Sequence, residues 1–290
     1  MATLVLFFDG IGLGRDDASV NPFAAVRARR LAPLWGGEPD RGAGFRPLDA
    51  TLGVSGLPQS ATGQTTLLTG INAARLMGRH VQGIPGPTLV DAIDRESLFL
   101  KLVRAGRRPT FANAFTRGHL EARRPRWSAT TRTVMAAGIP FRMLEEDERR
   151  DAALPHDYTG EWWLERGMEV KRRTAGEAAR VLAGLVDAHD LVLYEYFLTD
   201  LVGHRGDRDQ KLLQARRVEA LVDAVVAAVD LDRHRVVVIS DHGNLEEAGH
   251  KRHTRNPVPL LAWGAGAGDL VRRVSGLEAL TPALTDVSMT

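Results

Sequence analysis

Between residues 240 and 263 the chain reads SDHGNLEEAGHKRHTRNPVPLLAW, with an adjacent Asp–His pair, a Gly–Asn turn and a second His–Thr–Arg–Asn–Pro element. The apolar run VVVI leads in and VPLLAW leads out, so one loop between two strand-like runs carries Asp241, His242 and His253. Adjacent Asp and His at the end of an apolar strand are a costly choice for a mere turn, because buried polar groups need partners. Two other stretches repeat the pattern. FFDGIG places Asp9 directly after an apolar run, and TDLVGH places Asp200 and His204 four residues apart, on one side of a helical turn or tight loop. Singly, each has a plain structural reading: Asp–Gly makes turns, and Asp200 with His204 reads equally as a helix cap beside a surface histidine. Jointly, three carboxylates and three imidazoles suit two divalent cations with mixed oxygen and nitrogen ligands, Zn²⁺ or Mn²⁺. Cysteine is absent, which removes thiolate metal sites, disulfides and a Cys nucleophile.

LPQSATGQTTLLTG supplies hydroxyls at Ser60, Thr62, Thr65 and Thr66 at the start of a predicted helix. A serine hydroxyl is a poor nucleophile until a metal or a base ionises it. At a helix N-terminus it would meet phosphate oxygens together with free backbone N–H groups. The same serine also reads as an ordinary N-cap.

The elements that must position these groups follow from periodicity. TLVLFF (3–8), LVLYEYF (191–197), RVVVIS (235–240) and VPLLAW (258–263) are buried-strand patterns. Val218, Leu221, Val222, Val225, Val226 and Val229 hold one face of a helix at three- and four-residue spacing. FAAVRARRLAPLW, TLVDAIDRESLFLKLVRAG, SATTRTVMAAG and AGEAARVLAGLVDAH are further predicted helices, PTFANAF is a candidate strand, and residues 36–59 read as irregular. Strands alternating with helices predict a three-layer α/β/α sandwich with a mostly parallel central sheet, whose sites form beyond the carboxyl ends of the strands. Parallel neighbouring strands would bring Asp9, Asp200, His204, Asp241 and His242 to one edge. The 290 residues suit one domain, with a small insertion or lid around 117–165, where Arg, Glu and Trp cluster.

A hydrophobic content of 44% and a net charge of +2 are ordinary for a globular chain, and the basic residues are scattered among acids. No basic tract is interleaved with aromatics, so a nucleic-acid surface is not expected. The start MATLVLFFDGIG has no basic n-region and reads as a first strand, not a signal peptide. No apolar run approaches the roughly 20 residues that span a bilayer, and the expected compartment is the cytoplasm.

In this order the motifs resemble the alkaline phosphatase superfamily of metalloenzymes, and within it the branch of cofactor-independent phosphoglycerate mutase and phosphopentomutase. SDHGN followed by HTRNPVPL is the most specific part, TDLVGH matches the branch's Asp-x-x-x-His element, and the match covers roughly residues 1–80 and 185–265. The resemblance implies one metal held by Asp9, Ser60, Asp241 and His242, and another by Asp200, His204 and His253. It selects Ser60 as nucleophile by the spacing to Gly63 and to Gly70, with Thr62 next in line. Two departures stand out. Gln64 replaces the histidine that follows that glycine in the mutases, and the 140 residues between Ser60 and Asp200 leave room for only a reduced cap. A mutase must shield its phosphorylated intermediate from water while the substrate reorients, so a reduced cap favours hydrolysis.

The resulting expectation is a phosphatase acting on a small phosphorylated substrate through phosphoserine at Ser60. Arg79, Arg117 and Arg255 are candidates to neutralise phosphoryl charge, and Gln64, His80 and Asn113 are candidate substrate contacts. A phosphomutase is the alternative. A sulfatase fits less well, since SATGQ lacks the Pro and Arg of that signature, and a non-catalytic binding protein would keep the metals without turnover.

Overall fold

The computed structural model describes residues 1–122 and 126–286. Its centre is a six-stranded sheet built from β1 (Thr3–Phe8), β2 (Gly44–Leu48), β3 (Pro109–Phe111), β6 (Leu191–Tyr196), β7 (Arg235–Ile239) and β8 (Val258–Gly264), in the order β2-β8-β7-β1-β6-β3. Strands β7, β1, β6 and β3 run parallel, β8 is antiparallel to β7, and β2 is antiparallel to β8. The short strands β4 (Ala114–Phe115) and β5 (Arg142–Met143) form a separate parallel pair.

Alternation along β1 builds two cores. Leu4, Leu6 and Phe8 pack on one face against helices Ala175–Ala188 and Arg208–Ala228, through Leu182, Val218 and Leu221 among others. Val5 and Phe7 pack on the other face against helices Ser60–Thr69, Pro87–Glu96, Leu98–Arg104 and Ala267–Arg273. Both faces are therefore covered, and β1, β6 and β7 are continuously buried runs, as central parallel strands must be. The expected three-layer α/β/α sandwich is the observed one.

Three sequence expectations are modified. The predicted helix at 23–35 is two short pieces, Pro22–Ala25 and a 3₁₀ turn Ala32–Trp35, with Arg27 at φ 52° between them. The predicted helix of residues 88–106 breaks at Ser97, whose ψ of 148° starts a second helix at Leu98. Residues 36–59 contain the edge strand β2, which tolerates Pro47 because an edge strand has a free side with no ladder bond to lose.

Within the expected insertion at 117–165, helix Ala129–Ala136 contributes Ala129 and Val134 to the main core. Leu144 and Ala153 instead form a small cluster with Ala114. Residues 123–125 of that stretch lie outside the described residues. Among the described residues no helix is long and apolar enough to cross a membrane.

Candidate metal and phosphoryl-transfer site

Each candidate ligand group hangs from the carboxyl edge of the sheet. Asp9 follows β1 directly, with its N–H bonded to Tyr196 O of β6 at 3.2 Å. Asp200 and His204 lie one turn apart in helix Leu198–Arg205, which leaves β6. Asp241 and His242 follow β7. Because β8 is antiparallel to β7, its first residue returns to the same edge, and the loop between them brings His253 back beside His242. The two rings stack with centroids 3.8 Å apart.

The two histidines of one group have little freedom in their tautomer. His204 Nδ1 is 2.7 Å from Lys251 O and His253 Nδ1 is 2.7 Å from Pro58 O. A carbonyl only accepts, so each Nδ1 carries the proton and each Nε2 presents a lone pair. Those two Nε2 atoms stand 2.9 Å apart, each 3.4 Å from Asp200 Oδ1. With both rings neutral, two Nε2 lone pairs and Asp200 Oδ1 converge with no hydrogen between them, an arrangement that a divalent cation relieves.

The second group centres on His242, whose Nε2 lies 3.0 Å from Ser60 Oγ, 3.2 Å from Asp9 Oδ1 and 3.6 Å from Asp241 Oδ2. Asp9 Oδ1 and Asp241 Oδ2 are buried without a hydrogen-bond partner. Buried carboxylate oxygens are rarely left so, and here they face the place a cation would take. Asp9, Asp200 and His242 offer ligand atoms within 4.8 Å of one another, as do Asp200, His204 and His253. Asp200 therefore stands between the groups, where the sequence assigned it to one. The residues fit a pair of hard or borderline divalent cations.

Electrostatics agree with that donor set. Burial, then Asp241 and Asp200, push the Asp9 carboxyl up to about 7. Burial raises Asp241 to about 6, with His242 opposing it. Burial would lower His242, but Asp241, Asp9 and Asp200 raise it to about 10. For Asp200 burial is outweighed by His253, His242 and Asn244, which hold it well below the ordinary carboxylate range. A cation held among these groups would compete with the protons that burial favours.

Ser60 opens helix Ser60–Thr69, with no side chain capping that end. Thr62 Oγ1 is taken up by Gln59 O and the Val81 N–H, which leaves Ser60 as the hydroxyl that meets the ligands. Gly63 packs on the Asp241 backbone, where a Cβ would come 2.9 Å from its carbonyl oxygen. Gln64 donates to Asp9 Oδ2 at 3.1 Å, so the residue that departs from the mutase pattern, a candidate substrate contact, is engaged with a candidate metal ligand.

The tentative substrate residues are divided. Arg79 and His80 line a groove of ≈ 480 Å³ with Ser55, Gly56, Leu57 and Gln59, immediately before Ser60. Arg255 reaches the same rim, donating Nε–H to Gly56 O at 3.1 Å. Asn113 is fully buried and clamps the Glu195 backbone, accepting from its N–H at 2.8 Å and donating to its carbonyl at 2.7 Å. Arg117 pairs with Glu146 on the surface.

Three buried polar residues were not singled out from sequence. Glu195, a lone carboxyl inside the apolar strand LVLYEY, accepts from Thr130 Oγ1 at 2.8 Å, and burial, then Asp9, raise it to about 8. Its signal was legible, since an ionisable residue amid a buried strand calls for an explanation. Asn244 and Glu246 sit inside SDHGNLEE, where their composition looks like loop polarity.

The sequence profile of the Metalloenzyme superfamily matches residues 1–288. The chain belongs to that superfamily. Similar curated proteins are named 2,3-bisphosphoglycerate-independent phosphoglycerate mutases. The one from Agrobacterium fabrum is 36% identical over 87 residues, 28% of this chain and 17% of that protein. The one from Desulforudis audaxviator is 29% identical over 120 residues, 39% of this chain and 24% of that protein. The matched part thus spans about a quarter or less of those relatives' length. Among solved structures, alkaline phosphatase from the Antarctic bacterium TAB5 matches with a TM-score of 0.55 at 12% identity, over 98% of this chain and 96% of that one. The soluble domain of lipooligosaccharide phosphoethanolamine transferase A from Neisseria meningitidis gives 0.52 at 10% identity, over 99% of this chain and 88% of that one. These likenesses establish the alkaline phosphatase-like fold, within a superfamily of metal-dependent phosphoryl-transfer enzymes.

Proposed function

We propose that this member of the superfamily is a phosphoester hydrolase that works through a phosphoserine on Ser60. The carrying observation is the 3.0 Å contact of Ser60 Oγ with His242 Nε2, which sets the first hydroxyl of the helix among the candidate ligand atoms. Two divalent cations, Mn²⁺ or Zn²⁺, would lower the pKa of bound hydroxyls and neutralise charge on the phosphoryl oxygens. Ser60 Oγ, ionised, attacks phosphorus in line; the Oγ–P bond forms as the bond to the leaving oxygen breaks. Water then attacks the phosphoserine, releasing inorganic phosphate and regenerating Ser60. Backbone N–H groups at the start of helix Ser60–Thr69 favour the phosphoryl oxygens there. Asp9, held by Gln64, and Asp200, held by Asn244, keep their orientation through the cycle.

The groove beside Gln59, with Arg79, His80 and Arg255 at its rim and no carboxylate in its lining, supports a small anionic phosphoester as substrate. Arg117, paired with Glu146, and Asn113, committed to Glu195, have weaker support as substrate contacts. The second reading is a phosphomutase, favoured by the names of the curated relatives. Against it stands the small size of the segment that does not join the main core, built around Ala114, Leu144 and Ala153.

The test is turnover of a chromogenic phosphomonoester, diester and sulfate by protein loaded with Mn²⁺ or, separately, Zn²⁺. Monoester turnover lost in Ser60→Ala is expected. No hydrolysis, with label retained when phosphoglycerate or pentose phosphates are isomerised, would instead establish the mutase.

A further inference from the structure

The Glu246 carboxylate is 1% exposed and uses both oxygens fully. Oε2 accepts from the backbone N–H of Gly12 and of Asn244, each at 2.8 Å. Oε1 accepts from Thr254 Oγ1 at 2.5 Å and from Asn256 Nδ2 at 3.0 Å. Four donors fill the four lone-pair positions a carboxylate offers, and hydrogen bonds to a charged acceptor are the strong ones. None of the four is a cation, so this is not a salt bridge.

The donors lie in the loop after β1 and at both ends of the loop between β7 and β8, and each of these stretches carries candidate ligands. Gly12 is three residues after Asp9, Asn244 two after His242, and Thr254 directly follows His253. Asn244 extends the link to the remaining segment by donating Nδ2–H to Asp200 Oδ1 at 2.7 Å. The fit is tight on both sides: a Cβ on Gly12 or on Gly243 would collide with Glu246 Oε1, and one on Gly203 would sit 2.6 Å from the Asn244 side chain. Both glycines that touch Glu246 therefore lie where a backbone must approach it closely.

We propose that Glu246 is the positioning residue that fixes the spacing between the two metal-ligand groups, acting directly on the Asp9, His242 and His253 segments and through Asn244 on Asp200. Substituting it therefore loosens both groups together. A residue that serves only one group has a one-sided effect; Gln64, which touches Asp9 alone among the ligands, provides the contrast. The inference rests on the site holding metal, not on which phosphoester is cleaved.

The experiment is calorimetric titration of metal-free protein with Mn²⁺, with electron paramagnetic resonance to detect magnetic coupling between the bound ions. Thermal unfolding of each metal-free variant is followed in parallel. Glu246→Gln keeps the size but sets an NH₂ group against two donors. It is expected to weaken Mn²⁺ binding at both positions by about 10- to 100-fold, the range seen when groups supporting metal ligands are removed, and to abolish the coupling signal. Thr254→Val, which removes one donor from four, guards against a simple folding failure and is expected to show a smaller loss, again at both positions. Gln64→Ala is expected to weaken one position and spare the other. Wild-type affinity and coupling in Glu246→Gln and Thr254→Val, with only the unfolding temperature lowered, would overturn the proposal and leave Glu246 a structural residue. Failure of the wild-type protein to bind Mn²⁺ and, in a parallel titration, Zn²⁺ would sink the metal reading itself, and the proposal with it.

Discussion

Arg173 and Glu148 are buried about as deeply as Asp241 and His242, yet the two places balance their charge differently. Arg173 donates to Glu148 Oε1, to Glu148 O and to Asp151 Oδ1, and Glu148 Oε1 also accepts from the Lys171 N–H. A guanidinium there faces carboxylates, and the cluster is neutralised from within the chain. At the carboxyl edge of the sheet, the ion-pair partners of Asp9, Asp200 and Asp241 among the described residues are imidazoles, with no guanidinium or ammonium against them. Burying charge is expensive in both places. The first meets that cost with its own cation, and the second is arranged to meet it with a cation from solution.

If that contrast is right, substitutions at the two places should report on different properties. The largest effect is expected from Ser60→Ala, with monoester turnover falling at least about 10³-fold, as for loss of a nucleophile in other hydrolases. Steady-state kinetics on the metal-loaded protein would show it. Asp241→Ala or His253→Ala should lose bound metal, read by elemental analysis after gel filtration. Full metal content in either variant would break the assignment of the 240–257 loop. Arg173→Met leaves Glu148 buried without its cation and should lower stability by about 3–5 kcal/mol, measured by urea unfolding, while Mn²⁺ affinity stays unchanged. A change in metal affinity there would erase the distinction between the regions.

A smaller effect is expected from pH. Asp9 and Asp241 are raised to about 7 and about 6 in the folded, metal-free protein, above the ordinary carboxyl value of 3.8. The folded state therefore holds protons that the unfolded state releases, and their stabilising contribution is lost as pH rises through those values. His242, raised to about 10 from 6.5, acts in the same direction at higher pH. Asp200, lowered, acts oppositely but only in acid. Calorimetry in the presence of a chelator should show the unfolding temperature falling from about pH 4 to about pH 7 through the carboxyls and on toward about pH 10 through His242, and saturating Mn²⁺ should remove most of that slope. An unchanged slope with metal would separate these carboxyls from the cation site. The smallest effect belongs to Arg117→Ala: its exposed pair with Glu146 should contribute under about 1 kcal/mol, with KM unaltered.

The sheet was legible because buried parallel strands announce themselves as apolar runs, and β1, β6, β7 and β8 were each predicted to within a residue or two. Strand β2 was not, since GFRPL has neither alternation nor an apolar run and is held by pairing with β8. Helices with a clear stripe and cap, such as Ala175–Ala188 with its Thr174–Glu177 capping box, were legible for the same local reasons. The break at Ser97 was not, because apolar spacing continues across it and packing on the core decides the bend.

In the site, residue types and positions near strand ends grouped Asp9, Asp200, His204, Asp241, His242 and His253 as a candidate two-metal set, and the family resemblance added Ser60. Tertiary structure alone decided the rest. It placed Asp200 between the two candidate ligand groups, separated Ser60 from Thr62 by the bonds the latter makes, tied Asn113 to Glu195, and put Glu246 where the loop after β1 meets the two ends of the loop between β7 and β8. Those outcomes depend on atoms brought within about 3 Å of each other, the reach of a hydrogen bond. In the sequence the groups concerned stand as far apart as Gly12 and Glu246.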